Sequence, residues 1–197
     1  MRILLTIFTS LIMILSAQDF EYVGSSNCKM CHNKPAKGEQ FKIWSERSHA
    51  GAFETLKSEN AAKIFAEKGF EGNAWESAEC LGCHVTGYGI GGYEVKDEAF
   101  WNPAVEDKNG KKAVKRMAGL QAVGCEACHG AGSGYKSNKT MKAITAGEIE
   151  AKSVGLLCIS EETCKTCHNE KSPTFKGFDY ETANEKIAHP YPEGMGQ

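Results

Sequence analysis

The chain lacks an excess of basic charge. Its 23 lysines and arginines face 25 acids, a formal net charge of −2, whereas a protein built to grip nucleic acid presents a basic face. It also lacks a long apolar run. Residues 3–15 of MRILLTIFTSLIMILSAQDF fall short of the roughly 18–20 residues that a spanning helix needs, and no later segment is apolar enough. With Arg2 ahead and the small pair Ser16-Ala17 behind, that run reads as a secretory signal cut near Ala17; an uncleaved membrane anchor is the alternative. Residues 1–17 are therefore expected to be a signal peptide and residues 18–197 a single domain. Without Arg2 the mature chain has 22 cations against 25 acids, or −3. Histidine is scarce too, at 6 residues of 197.

Four of those six histidines share one setting. The chain reads Cys28-Lys-Met-Cys31-His32, Cys80-Leu-Gly-Cys83-His84, Cys125-Glu-Ala-Cys128-His129 and Cys164-Lys-Thr-Cys167-His168. Nine cysteines in an exported chain raise a disulfide framework first. Eight of them fall in Cys-x-x-Cys pairs, with Cys158 alone. At this histidine frequency, four chance placements directly after such a pair have a probability on the order of one in a million, and the string is that of covalent haem attachment. Zinc ribbons also use paired Cys-x-x-Cys, but have no use for a histidine fixed at the next position. Thioredoxin-like redox motifs want a βαβ context, which is absent.

The spacing suits the chemistry. Two thiols add across the haem vinyl groups, and the adjacent imidazole reaches the iron from below. One short helical turn places all three groups only if they are this close in sequence. Four haems in about 180 residues leave roughly 45 residues each, too few for an ordinary aliphatic core. The porphyrins then form much of the core, and their edges come close enough for fast electron hopping. The expected fold is mainly α: a small multihaem cytochrome c fold with helices and long loops wrapped around four covalently bound haems, and little β. Residues 35–57 carry Phe41, Trp44, His49, Phe53 and Leu56 on one helical face. Residues 60–70 form a second helix closed by Gly69, and 179–189 a last one capped by Asp179 and stopped by Pro190. Residues 84–95 are a Gly-rich loop or tight ribbon, and Asn109-Gly110 marks a hairpin turn. The third and fourth motifs each sit on a short helix. Motif intervals of 52, 45 and 39 residues are too uneven for a true repeat.

His32, His84, His129 and His168 are the proximal ligands, which leaves His49 and His189 as distal candidates. Two haems then have no distal histidine from this chain. The stretches CLGCHVTGYGIGGY (80–93), VGCEACHGAG (123–132) and WSERSHAGAFETL (44–56) resemble the tetrahaem cytochrome c-554 family, with similarity from about Cys28 to His189. The resemblance implies a helical periplasmic electron carrier with haems in stacked pairs, fed by a multihaem hydroxylamine-oxidising enzyme. It implies that His49 serves the haem of His129, that His189 serves the haem of His32, and that the haem of His84 is five-coordinate. The family places a further histidine about ten residues beyond the third motif, as distal ligand to the fourth haem. This chain has Asn138 and Lys139 there, then Met141. A desolvated, deprotonated Lys139 or Met141 is a substitute ligand for the haem of His168; an open site in a polar loop is the other reading.

The function expected is an electron relay with redox protein partners: a multihaem oxidoreductase as donor, and a quinone-linked enzyme or another cytochrome as acceptor. Haem propionates add negative charge, so a basic docking face on a partner follows. The rival is an enzyme that reduces nitric oxide or another small nitrogen oxide at an open iron, with no catalytic acid or base assigned. A filament that borrows histidines between subunits is disfavoured by the histidine count. Cys158 reads as a small buried residue, or as an intermolecular disulfide half. Gly87, Gly89, Gly91 and Gly92 form either an approach to a porphyrin or a surface turn.

Overall fold

The computed structural model describes residues 20–190. The expected signal segment, 1–17, lies outside the described residues, as do residues 191–197. Among the described residues all regular structure is helical, and the helices are short. They are α1 (Ser26–His32), α2 (Gln40–Ser45), α3 (Ala52–Thr55), α4 (Glu59–Glu67), α5 (Ala78–His84), α6 (Glu98–Trp101), α7 (Lys108–Ala118), α8 (Cys125–His129), α9 (Asn138–Thr145), α10 (Glu161–Lys165) and α11 (Tyr180–Ile187), with single 3₁₀ turns between some of them. The mainly α expectation holds.

Three local expectations need correction. The single helix over 35–57 is broken into a 3₁₀ turn at Pro35–Lys37, α2, a second turn at Ser48–Gly51, and α3. Gly38 (φ 87°) and Glu39 (φ 50°) are left-handed, and Arg47 is extended, so the apolar residues do not share one face. Phe41 and Trp44 pair with centroids 5.2 Å apart, while Phe53 and Leu56 enter the core. Asn109-Gly110 is no hairpin either. Asp107 Oδ1 accepts the Gly110 N–H at 2.8 Å, which makes it an N-cap and places both residues in the first turn of α7. Cys158, finally, is exposed; it lies in the irregular stretch between the Ala151–Val154 turn and α10. The predicted stops do occur: α4 ends just before Gly69 at φ 80°, and Asp179 Oδ1 caps α11 through Thr182 N–H at 2.9 Å.

The aliphatic and aromatic core is one cluster around α5. Leu81, at 0% exposure, packs with Phe53, Leu56, Phe65, Ala74, Val85, Tyr93, Met117 and Leu120, and Trp75 and Trp101 close its flank. Burying one such side chain contributes about 1.5–3 kcal/mol. The second motif therefore rests on a protein core. The fourth has none beneath it, because residues 136–190 include no buried side chain.

Candidate haem-attachment centre

Short polar ties gather three of the four motifs. The Ser25 N–H donates to Gly119 O at 3.0 Å, and its hydroxyl accepts from Cys125 N–H at 3.3 Å, so the first motif starts where the third one does. Gly24, at φ 85°, makes this approach with no room for a side chain: a Cβ there would stand 2.9 Å from Arg116 O. Glu126, between the two cysteines of the third motif, is 2% exposed. Its carboxylate accepts from Val23 N–H at 2.8 Å, Gly24 N–H at 2.7 Å and Gly132 N–H at 2.7 Å. These bonds offset the cost of burying the group. Thr86, directly after the second motif and its Val85, donates to Ala122 O at 2.7 Å and accepts from Gly124 N–H at 2.9 Å. Sequence reasoning missed Ser25, Thr86 and Glu126. The one available signal was an acid inside a Cys-x-x-Cys, which the other three motifs lack.

The cysteines report which motifs are neighbours. All nine are free, so no disulfide framework forms among them. The Cys28 thiol donates a hydrogen bond to Cys125, which pushes the Cys28 thiol up and the Cys125 thiol down. Cys83 bonds Cys167 in the same way, with Cys83 pushed up and Cys167 pulled down to about 6. Cys128 is pushed up to about 11, first by burial and then by Cys164 and Cys167. These cysteine contacts run from the first motif to the third, the fourth and the second, and the Thr86 bonds also bring the end of the second motif to the start of the third.

The imidazoles form two pairs. His49 faces His168, and His129 faces His189, each with ring centroids 6.0 Å apart. His168 also stacks on Phe178 at 4.8 Å. These pairs differ from those the resemblance implied. The backbone of His49 does lie beside the third motif, with Val123 N–H donating to His49 O at 3.1 Å, but its ring is turned to the fourth. The His189 ring stands 6.0 Å from that of His129 in the third motif, and His32 of the first motif also acts on it. The ring that faces His168 is that of His49, and Lys139 is exposed on α9. The motif histidines with no second imidazole opposite are therefore His32 and His84. The His84 Nδ1 sits 2.7 Å from Ala52 O. A carbonyl only accepts, so Nδ1 carries the proton and Nε2 keeps its lone pair.

The donor set fits haem c. Two metal–imidazole bonds of about 2 Å, with the depth of two rings, separate ring centroids by roughly 6 Å, which matches both pairs. Three of these rings, His49, His129 and His189, are also pushed toward the neutral, ligating form. Burial pushes His129 down to about 4, with His189 and His32 adding to it and a bond to the Leu157 backbone opposing. Burial likewise lowers His49, with His168 adding, and lowers His189, with His32 adding and backbone hydrogen bonds opposing. No three His, Cys, Asp or Glu side chains among the described residues converge as a metal cage. Haem iron takes four donors from the porphyrin and needs only one or two from protein.

The arrangement defines a c-type cytochrome, whose cofactor is covalently bound haem c. A family profile described as cytochrome c554 and c-prime matches residues 27–130, and the chain belongs to that family. Cytochrome c-554 of Nitrosomonas europaea is 29% identical over 178 residues, covering 82% of this chain; the chain spans 63% of that relative's length. The solved reduced state of cytochrome c554 from Nitrosomonas europaea has the same fold, with a TM-score of 0.53 at 24% identity over 85% of this chain and 78% of that one. Electron transport is the function of the class.

Proposed function

We propose that the chain is a periplasmic tetrahaem cytochrome, residues 18–197 following a signal peptide, that relays electrons between redox partners. The observation that carries this is the unbroken series of cysteine contacts joining four Cys-x-x-Cys-His motifs. Cys28, Cys31, Cys80, Cys83, Cys125, Cys128, Cys164 and Cys167 would hold four haems by thioether bonds. His32, His84, His129 and His168 would be the proximal ligands, with His49 distal to His168 and His189 distal to His129. Bound haem supplies one-electron redox chemistry at iron. The chain's part is to hold the motifs together and aim each ligating imidazole. Donor and acceptor are proposed as a multihaem oxidoreductase and a quinone-linked enzyme or second cytochrome. The test is a haem count on the exported holoprotein, by pyridine haemochrome absorbance against peptide mass. Four per chain supports the reading; two or three refute it.

A second reading has its own observation. His84 and His32 lack a facing imidazole, and they belong to the two end motifs of that series. A small nitrogen oxide such as nitric oxide would be taken at an end rather than in the middle. Electron paramagnetic resonance of the oxidised holoprotein, with and without nitric oxide, tests this. Two high-spin irons that change on adding the gas support it. Four low-spin irons that do not respond leave a pure relay.

A further inference from the structure

Gln40 is one of few buried polar side chains, at 8% exposure, and it touches two histidine segments at once. Its Nε2 donates to Pro190 O at 3.0 Å, across 150 residues of sequence. A backbone carbonyl only accepts, so the amide nitrogen must face Pro190. The amide oxygen then faces His32 Nδ1, 3.4 Å away. That oxygen accepts only, which protonates Nδ1 and leaves His32 Nε2 with its lone pair. Pro190 directly follows His189, whose ring stands against His129. Gly38 keeps the space for this contact: at φ 87°, a Cβ there would lie 2.8 Å from Gln40 Nε2 and 2.9 Å from Pro190 O. The left-handed Gly38 and Glu39 also place Gln40 as the first residue of α2. Helix α11, which carries the chain to His189, has no buried residue.

We propose that Gln40 is a positioning residue for two axial ligands, orienting His32 with its amide oxygen and holding the His189 segment against His129 with its amide nitrogen. This rests on the reading of His32, His129 and His189 as haem ligands. The two halves of the amide have separable consequences. The oxygen raises the basicity of the His32 ring by holding its proton. The nitrogen keeps the second imidazole of the third motif in place.

The experiment compares wild-type holoprotein with Gln40→Glu, Gln40→Leu and the exposed neighbour variant Lys42→Gln, after haem counting. Spin state is read by electron paramagnetic resonance, and each haem's potential by spectroelectrochemical titration. Gln40→Glu keeps an acceptor for His32 but loses the donor to Pro190. It is expected to convert about one haem equivalent from low to high spin. One other haem should become harder to reduce, by about tenfold in its reduced-to-oxidised ratio, or 59 mV. Gln40→Leu should give the spin change with a shift of the opposite sign, the His32 haem becoming easier to reduce, and Lys42→Gln neither. A Gln40→Glu protein with wild-type spin state and potentials overturns the proposal, even if Gln40→Leu does not fold. A wild-type protein without a low-spin bis-imidazole signal overturns the ligand reading beneath it instead.

Discussion

Residues 20–135 contain every buried side chain among the described residues, and residues 136–190 contain none. The first region wraps the second motif in Phe53, Leu81, Met117 and their neighbours, and ties the third motif down through Glu126 and Thr86. The second region carries the fourth motif and His189, yet its helices α9, α10 and α11 bury nothing. Such helices are too short to stand alone in water. The comparison teaches that the two regions draw on different apolar surface. One packs around its own apolar side chains; the other contributes none to that core. The family profile, which ends at residue 130, follows the same division.

The sharpest break of that comparison is Cys164→Ala with Cys167→Ala, which removes the fourth attachment. Limited proteolysis should then cut rapidly within residues 136–190, while residues 20–135 remain resistant; protection throughout would show that the second region holds itself. Next is Leu81→Ala, at 0% exposure in the core. It should cost about 2–5 kcal/mol by denaturant unfolding and lower the stability of the first region foremost.

Acid comes third. His129, pushed down to about 4 from 6.5 by burial, binds its proton less readily folded than unfolded. Its contribution is full above 6.5 and is lost as pH falls through that window toward about 4. Because a ring that holds iron must also stay unprotonated, denaturant midpoints at pH 7, 5.5 and 4.5 should fall in that order. The smallest effect is Asp179→Ala, which removes the α11 cap. About 1 kcal/mol is expected, read as faster hydrogen exchange across Tyr180–Ile187; the equivalent Ser58→Ala on α4 should cost as much but stay local, because Phe65 anchors that helix in the core.

Some of this was legible in the sequence and some was not. The caps at Asp179 and the stop at Gly69 could be read because they depend on neighbours three or four residues away. The break of residues 35–57 could not, since the 3.6-residue spacing of Phe41, Trp44 and Phe53 outweighed the left-handed pair Gly38-Glu39. Asn109-Gly110 misled for a related reason: its turn preference is real, but Asp107 offers the same backbone a helical cap. Cys158 looked buried by residue type, and its segment has no interior to enter.

The sequence by itself determined the chemistry: four Cys-x-x-Cys-His strings and six histidines dictate covalent haem with axial imidazole, because thiol spacing and ligand adjacency are local facts. Only the tertiary structure decided the order of the motifs and the partners of His49 and His189. A ring's direction is set by contacts such as Val123 to His49 and Gln40 to Pro190, which join residues far apart in the chain, and no local spacing encodes them.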